Sequence, residues 1–561
     1  MKKILSAVLA AAMILSLTAC GSSSSGSASG SGSGQAAETT KAAVQIAEVN
    51  VGSNDAKAEV TTEEKVIDET KKRELVAGIE KEGSCLVPWD PNKAAANASN
   101  PALMNIYEAA FEYTRDGGVK PLLAKSYEVN DDYTVWTIHF RDDVHFSNGD
   151  PMTADDVVWS YTMIQDIPIS KTIWYYFEEA VKVDDYTVEV HLSQPYQPLL
   201  RSALTGCRGL IASKKHWEEV GETYDGYYAD PIGTGPYVLE EYKLKERQVF
   251  VKNPNYWNKA EIDPFYEKIT LKYLTDQNTQ MLALENNEID VLLYAKIPPL
   301  LQLPANTDIE FNVTQSSGHI WLQMNENKGN PTSDINIRKA IACCINKDDM
   351  NQVVYEGYSK PADTSACDFF TGAPKREDIT AWIPEYNKEE AKKYLEAAGY
   401  NGEEIILLCV SGSMPEQCAV ILQGELLSIG MNCSVKALDN ASVNAQSKLP
   451  EGWSCQIQTA TSSAMDYSWI ATYQSYDAKT AAGFAAPMVR NEELEDLFAK
   501  QSSEFDEEAR SKMFARIESI MNEDVQRIPI IENYSTCAYH NWVKGVDARP
   551  VEYLYYFKYW Y

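Results

Sequence analysis

The alternation of helical and strand patterns in residues 387–438 constrains the fold of this chain more than any other feature. A helical run that begins after Asn387 leads into the apolar, strand-like segment IILLCV at 405–410. A second helical run from about Pro415 leads into another strand-like segment at 433–438. Two strands joined in this way by a helix lie parallel in one sheet, with a right-handed crossover. The sequence therefore predicts a mixed α/β fold.

Two further segments resemble each other, NDDYTVWTIHF at 130–140 and VDDYTVEVHL at 183–192. In each of them, paired aspartates are followed by residues that are typical of a strand. Between the two segments, Thr153 precedes Asp155 and Asp156, which is the pattern of a helix start with acidic residues in its first turn. We expect two similar strands in one lobe, with a helix between them in the sequence.

The N-terminus has the features of an export signal. Lys2 and Lys3 precede an apolar run of 14 residues at 4–17, and a membrane-spanning helix would need about 20. The small residues before Cys20 resemble the lipobox of bacterial lipoproteins, in which the cysteine thiol is lipidated. We expect a signal peptide at 1–19 and a lipid on Cys20.

The segment after Cys20 is polar and lacks a sustained apolar period. Residues 21–34 are Gly or Ser at 13 of 14 positions, a composition that behaves as a flexible coil. We expect residues 20–72 to form a lipidated, flexible tether, so that the protein would meet the membrane through its N-terminal lipid.

The charge and the absent motifs exclude several classes of function. The chain has 50 basic and 81 acidic side chains, and this net charge of −31 would repel a nucleic acid. The sequence has no G-x-S-x-G elbow, no H-E-x-x-H helix and no P-loop, so we expect no enzyme. Its six histidines lack ligand spacing, so neither a metal site nor a cofactor is expected. The ten cysteines after Cys20 form no C-x-x-C pair, and buried free thiols explain them as well as disulfides do.

Several long segments resemble, in matching order, the extracellular solute-binding proteins of family 5, the large binding components of peptide and nickel ABC importers. The segments are PLLAKSYEVNDDYTVWTIHFRDDVHFSNGDPMTADDVVWSY (121–161), GTGPYVLEEY (233–242) with NPNYW (253–257), LENNEIDV (284–291), INIRKAIACCINKDDMNQVVYEGYSKPA (335–362) and EYNKEEAKKYLEAAGY (385–400). The third of these departs from the family pattern, because Asn287 stands where glycine is usual. Together the segments place nearly all of residues 73–561 within the resemblance.

The resemblance implies a large periplasmic-binding-protein-like fold, with two lobes around a ligand cleft and an additional inserted domain. The implied order is lobe I (73–116), domain II (117–230), lobe I again (231–325), domain III (326–529) and the C-terminal part of lobe I (530–561). Ligand would be enclosed where lobe I and domain III meet.

The resemblance also implies where a ligand would be held. In peptide-binding members an aspartate of domain III pairs with the ligand α-ammonium, and the matching residue here is Asp466. An Asp-Pro that usually follows is replaced by Ser468-Trp469, so the side-chain pocket differs from the family pattern. The full set of predicted ligand-binding residues is Asp466, Tyr467, Trp469, Tyr175, Tyr176, His319, Trp321, Gly83, Ser84 and Glu532.

These features predict a monomeric, lipid-anchored substrate-binding protein on the outer face of the bacterial cytoplasmic membrane. It would capture a small ligand, a peptide, and deliver it to the permease subunits of an ABC importer. Nickel-chelate, oligosaccharide and opine-type solutes are the alternatives on the same fold, and a secreted hydrolase is the alternative from another class.

Overall fold

The structure is a computed structural model. It describes residues 74–80, 86–90, 102–114, 117–165, 167, 170, 173–174, 176–262, 266–304, 307–462, 464–475, 490–546 and 556–561.

The described strands are, in chain order, β1 (Glu74–Ile79), β2 (Glu108–Ala109), β3 (Phe111–Tyr113), β4 (Val119–Pro121), β5 (Ala124–Val129), β6 (Val135–Phe140), β7 (Phe177–Asp184), β8 (Thr187–Leu192), β9 (Leu210–Ile211), β10 (Tyr237–Lys243), β11 (Arg247–Lys252), β12 (Lys268–Tyr273), β13 (Val291–Leu293), β14 (Ile309–Met324), β15 (Ile405–Val410), β16 (Cys433–Leu438), β17 (Cys455–Thr461) and β18 (Arg527–His540).

The described α-helices are α1 (Leu103–Ile106), α2 (Ala154–Gln165), α3 (Leu199–Ser202), α4 (Lys214–Glu219), α5 (Tyr224–Ala229), α6 (Lys259–Ile262), α7 (Gln277–Glu285), α8 (Ile297–Leu300), α9 (Ile335–Ala342), α10 (Lys347–Tyr355), α11 (Lys388–Ala398), α12 (Met414–Ser428), α13 (Asn440–Gln446), α14 (Ala471–Gln474), α15 (Glu492–Ser502) and α16 (Glu507–Asp524). Short 3₁₀ helices lie at Gly206–Arg208, Pro331–Ser333, Arg376–Asp378, Tyr467–Ile470 and Phe557–Tyr559. None of these helices is long and apolar enough to span a membrane.

A ten-stranded mixed sheet organises most of the described chain, in the order β10-β11-β12-β1-β13-β18-β14-β17-β15-β16. Its two longest strands, β14 with 16 residues and β18 with 14, lie side by side and antiparallel near its middle. On one side β18 pairs with β13, and on the other β14 pairs with β17. The two long strands therefore join the half of the sheet built from the N-terminal strands to the half built from residues 405–461.

The predicted strand–helix–strand unit is confirmed. β15 and β16 are parallel, with Ile405 opposite Cys433, and α12 connects them. The helix before them, α11, begins at Asn387, whose side-chain oxygen accepts the Glu390 N–H at 3.1 Å. It ends at Gly399 with φ +64°, a left-handed conformation that glycine adopts without steric cost. Local sequence patterns thus determine this part of the fold.

The predicted similarity of two strands is also confirmed. The four-stranded antiparallel sheet has the order β5-β6-β8-β7, and the two similar segments form its neighbouring strands β6 and β8. The helix between them, α2, begins after Thr153, whose N–H and hydroxyl both donate to Asp156 at 2.9 and 3.1 Å. This sheet lies within the range predicted for domain II.

The two faces of β14 belong to different cores because successive side chains of a strand point to opposite faces. Ile320 and Leu322 pack in a cluster that includes Ile341 of α9. Trp321 belongs to a separate cluster with Phe514 of α16. Nine cysteines of the described chain are buried and free, so for these the free-thiol alternative holds rather than disulfides.

The GTGP and NPNYW segments form one packed junction. A Cβ at Gly233 would lie 2.0 Å from the carbonyl oxygen of Ile106, so this position has no room for a side chain. The Asn253 side chain donates to the Gly235 carbonyl at 2.8 Å, and the Asn255 side chain donates to the Ser147 carbonyl at 2.9 Å. These residues hold β10 against the α1 region and are architectural.

Gly235→Ala should lower the free energy of unfolding by about 1–3 kcal/mol, because overpacking forces the backbone to shift. Its Cβ would lie 2.4 Å from the Asn105 carbonyl oxygen and 2.7 Å from the Ile106 carbonyl carbon. The matched control is Gly424→Ala in α12, where a Cβ meets nothing within 4 Å. It should stabilise the protein by up to about 1 kcal/mol. Thermal melts measure both, and an unchanged melting temperature for Gly235→Ala would contradict this packing.

Candidate ligand-binding site

Five predicted ligand-binding residues lie on β14 and β18 or in the segment that covers the same face of their sheet. His319 and Trp321 lie on the same face of β14, because they are two positions apart in the strand. Glu532 of β18 is directly opposite His319 in the antiparallel register. Tyr467 and Trp469 lie in the short 3₁₀ helix at Tyr467–Ile470, which continues directly into α14.

A buried aromatic group surrounds Arg527, the first residue of β18. Trp321 and Trp469 stack with ring centroids 5.8 Å apart and an interplanar angle of 11°. Tyr473 of α14 meets both rings edge-on, at 5.0 and 5.2 Å. The Arg527 guanidinium lies against the face of Trp321, with its central carbon 5.3 Å from the Tyr473 centroid. We call Trp321, Trp469, Tyr473 and Arg527 the tryptophan–arginine cluster.

Asp466 begins the 3₁₀ helix, and its Oδ1 accepts the Ser468 N–H at 2.9 Å. Both of its carboxylate oxygens also accept from Arg510 of α16, at 2.6 and 2.7 Å. Burial alone would raise the pKa of Asp466, but the Arg510 guanidinium outweighs burial and holds that pKa below its usual value. Asp466 is therefore an ionised, fully buried half of a bidentate ion pair, and its contact with a ligand ammonium stays a prediction.

Tyr467 is held by a different partner. Its hydroxyl donates to Glu518 Oε1 at 2.6 Å, and the same carboxyl group accepts the Ser365 N–H at 3.0 Å. Burial raises the pKa of Glu518, against these hydrogen bonds. The Tyr467 ring packs on Phe514 of α16. These contacts fix the 3₁₀ helix on α16 and so position Trp469.

Glu532 is 6% exposed and accepts a hydrogen bond from Gln315 of β14. Lys360 Nζ lies 3.3 Å from its Oε1, and the Lys360 side chain is 44% exposed. Burial raises the pKa of Glu532 to about 7, and the Lys360 charge opposes that rise. The side chain is therefore a carboxyl group that titrates near neutral pH, on one of the two strands that join the halves of the sheet.

His319 is buried opposite Glu532. Burial, together with the nearby charge of Arg527, lowers the pKa of His319 to about 3, so the imidazole is neutral at physiological pH. Its Nδ1 has no hydrogen-bond partner within the described part of the chain.

Tyr176 does not belong to this group of residues. It precedes β7 of the four-stranded sheet, its ring packs edge-on against Tyr196, and its carbonyl accepts the Ser193 N–H at 2.8 Å. Four other predicted residues lie outside the described residues: Gly83, Ser84, Tyr175 and the proposed lipidation site Cys20.

Sequence reasoning missed Arg510, Tyr473 and Arg527. The signal for Arg527 was present, since a charged residue directly precedes the apolar run IPII of a buried strand. No local signal marks Arg510, which pairs with a residue 44 positions away. Among the described residues no cluster of His, Cys, Asp or Glu could hold a metal ion by itself.

Asp466→Asn should destabilise the protein by about 3–5 kcal/mol, because it leaves the Arg510 guanidinium buried without its counter-ion. The melting temperature without added solute measures this loss. The matched control is Glu508→Gln, which removes an exposed carboxylate that pairs with Lys512 on the same helix, and it should melt like the wild type. Equal melting temperatures for Asp466→Asn and the control would show that the buried pair is not structural.

The known proteins that this chain resembles include several periplasmic binding proteins. The nickel-binding periplasmic protein of Escherichia coli K12 is 29% identical over 369 residues, covering 61% of this chain and 68% of that protein. The periplasmic oligopeptide-binding protein OppA of Haemophilus influenzae is 24% identical, covering 83% and 90% respectively. The solved structure of the periplasmic binding protein DppA of Helicobacter pylori, in complex with the peptide STSA, superposes with a TM-score of 0.74 at 23% identity, covering 87% and 98%.

The sequence pattern of the family described as "Bacterial extracellular solute-binding proteins, family 5 Middle" matches residues 118–493. This is more than half of the chain, and the mixed α/β architecture agrees with solved structures of this class over most of its length. Proteins of this family bind solutes and are not catalysts. The chain belongs to the bacterial extracellular solute-binding proteins of family 5, and it is the substrate-binding protein of an ABC importer.

Proposed function

We propose that this protein captures short peptides outside the cell and delivers them to its permease. The observation that carries the proposal is the buried Glu532 carboxyl group on β18. Lys360 is the one cation within ion-pair distance of Glu532 in the described part of the chain, and it is partly exposed. A peptide ammonium can therefore compete for this carboxylate in a site whose low dielectric strengthens the pairing.

Asp466 is the second carboxylate that the proposal offers to the ammonium. Each carboxylate oxygen has two lone pairs and can accept more than one hydrogen bond. An ammonium could thus join Asp466 without displacing Arg510.

The predicted domains would then close on the ligand, because a cleft shared by two lobes encloses more of the ligand surface when it is shut.

The proposal includes a lipid on Cys20, which lies outside the described residues. Cys20→Ser should release the protein from membranes into the medium, because the signal peptide would still direct export but no thiol would accept the lipid. Fractionation of cells and medium, with immunoblotting, measures this. Membrane retention of the mutant at the wild-type level would argue against lipidation at this position.

Short peptides with a free N-terminus should bind the purified protein at least about 30-fold more tightly than their N-acetylated copies, because acetylation removes the ammonium charge, and removing one partner of a buried charge pair costs about 2–5 kcal/mol. Calorimetry measures both affinities. The preference for a free N-terminus should disappear in Glu532→Gln or in Asp466→Asn, and the variant that loses it identifies the ammonium partner.

A wild-type protein that binds no free peptide would contradict the proposed function. Equal binding of free and acetylated peptides by the wild type would support the peptide function, but it would show that neither carboxylate pairs with the ligand ammonium.

A metal chelate is the second candidate, and His319 favours it. Its imidazole is neutral, and its Nδ1 has no partner within the described residues, so this nitrogen could complete the coordination of a metal that arrives in its own chelator. The 29% sequence identity to the nickel-binding relative also supports this candidate. Mass spectrometry and metal analysis of the protein as purified distinguish the two: stoichiometric nickel supports the chelate, and peptide without metal supports the first proposal.

A further inference from the structure

Arg527 is a buried cation for which the described part of the chain supplies no ion-pair partner. It is 1% exposed, and none of its three guanidinium nitrogens has a hydrogen-bond partner within the described part of the chain. The charge of Glu518 acts on Arg527 and opposes the lowering of the Arg527 pKa by burial. The Glu518 carboxyl group, however, already accepts hydrogen bonds from the Tyr467 hydroxyl and the Ser365 N–H. An unpaired buried charge is among the most unfavourable features that a folded protein can carry.

Two other buried arginines, Arg510 and Arg338, are paired with carboxylates. Arg510 donates to both oxygens of Asp466 and also to Gln501. Arg338 donates to the Asp524 carboxylate at 2.6 Å. Arg527 differs from both of them, so its burial is not explained by the pairing that explains theirs.

The geometry of the tryptophan–arginine cluster leaves the guanidinium able to bind a ligand. The Arg527 guanidinium lies over the Trp321 ring and near Tyr473, so it gains cation–π attraction. Its five N–H groups, however, point outward in its own plane, in the fork that matches a carboxylate. Aromatic faces therefore hold the cation in place without satisfying its hydrogen bonds.

The surroundings supply further donors. The indole N–H groups of Trp321 and Trp469 are buried without partners within the described residues. A group of unsatisfied donors around one cation favours an anion rather than a cation or an apolar group.

We propose that the tryptophan–arginine cluster is a carboxylate subsite, in which Arg527 binds a carboxylate of the captured solute through two parallel N–H···O bonds. This inference rests on the proposed function in that the carboxylate is taken to be the C-terminus of a peptide. The residues of β14 that lie opposite Arg527 and Glu532 are Gln323 and His319, four positions apart, so Glu532 is about 13 Å from Arg527 at the rise of a strand. An extended peptide of about four residues has a comparable span, so tetrapeptides are the suitable probes.

The test uses tetrapeptide pools as free acids and as C-terminal amides, with thermal shifts to find binders and calorimetry to measure them. The wild type should bind free acids at least about 30-fold more tightly than amides, and Arg527→Gln should lose this preference. Arg516→Gln is the matched control: it removes an exposed arginine that pairs with Glu493 and Glu523, and it should keep the preference. Equal binding of acids and amides by the wild type, or a preference retained by Arg527→Gln, would overturn the subsite.

Two further measurements separate this proposal from the proposed function. If no peptide binds the wild type, succinate and citrate at millimolar concentration serve as carboxylate probes. They should raise the melting temperature of the wild type and of Arg516→Gln but not of Arg527→Gln, and equal shifts in all three would overturn the subsite. Without any solute, Arg527→Gln should melt at or above the wild-type temperature, because it removes an unpaired buried charge. A fall as large as that of Asp466→Asn would show that Arg527 is structural and would refute the proposal.

Discussion

The antiparallel pairing of β14 with β18 is the interaction on which the rest of this structure depends. The pairing runs from Ile309 opposite His540 to Gln323 opposite Arg527. Along it, the ladder connects the N-terminal half of the ten-stranded sheet to the half that carries the parallel β15–β16 unit. The register shifts between Gln315 and His319 and again between Ile320 and Trp321, so the strands are irregular where the candidate site lies. A movement of one half relative to the other would therefore act directly on the residues proposed to hold a solute.

Two buried arginines show how stability and binding are divided in this region. Arg510 satisfies its donors with Asp466 and Gln501 and fixes the start of the 3₁₀ helix on α16. That helix positions Trp469 on Trp321, and together with Tyr473 these rings surround Arg527. The satisfied ion pair thus supports a neighbouring cation to which the described residues donate no counter-ion. Burial of the Arg527 cation in these surroundings lowers the stability of the fold locally, which is typical of a site that is completed by a ligand.

Sequence reasoning succeeded where structure is local and failed where it depends on distant contacts. The caps of α2 and α11, the parallel unit β15–α12–β16 and the neighbouring strands β6 and β8 all follow from patterns within a few tens of residues. The family motifs identified the class of protein correctly. The partner of Asp466 could not be read in this way, because Arg510 comes from a helix 44 residues further along the chain. Arg527 was missed because a single charge at the start of an apolar strand is most often a solvated end, and its burial depends on Trp321 and Tyr473.

The most direct test of this account is a crystal structure of the protein with the solute that co-purifies with it. The account predicts solute density against the face of β14 and β18 that carries His319 and Trp321, with an anionic group on the Arg527 guanidinium and a cationic group at Glu532 or Asp466. Density for a bound solute within the four-stranded sheet of β5–β8, or an Arg527 that is paired with a protein carboxylate in the solute-bound state, would contradict it.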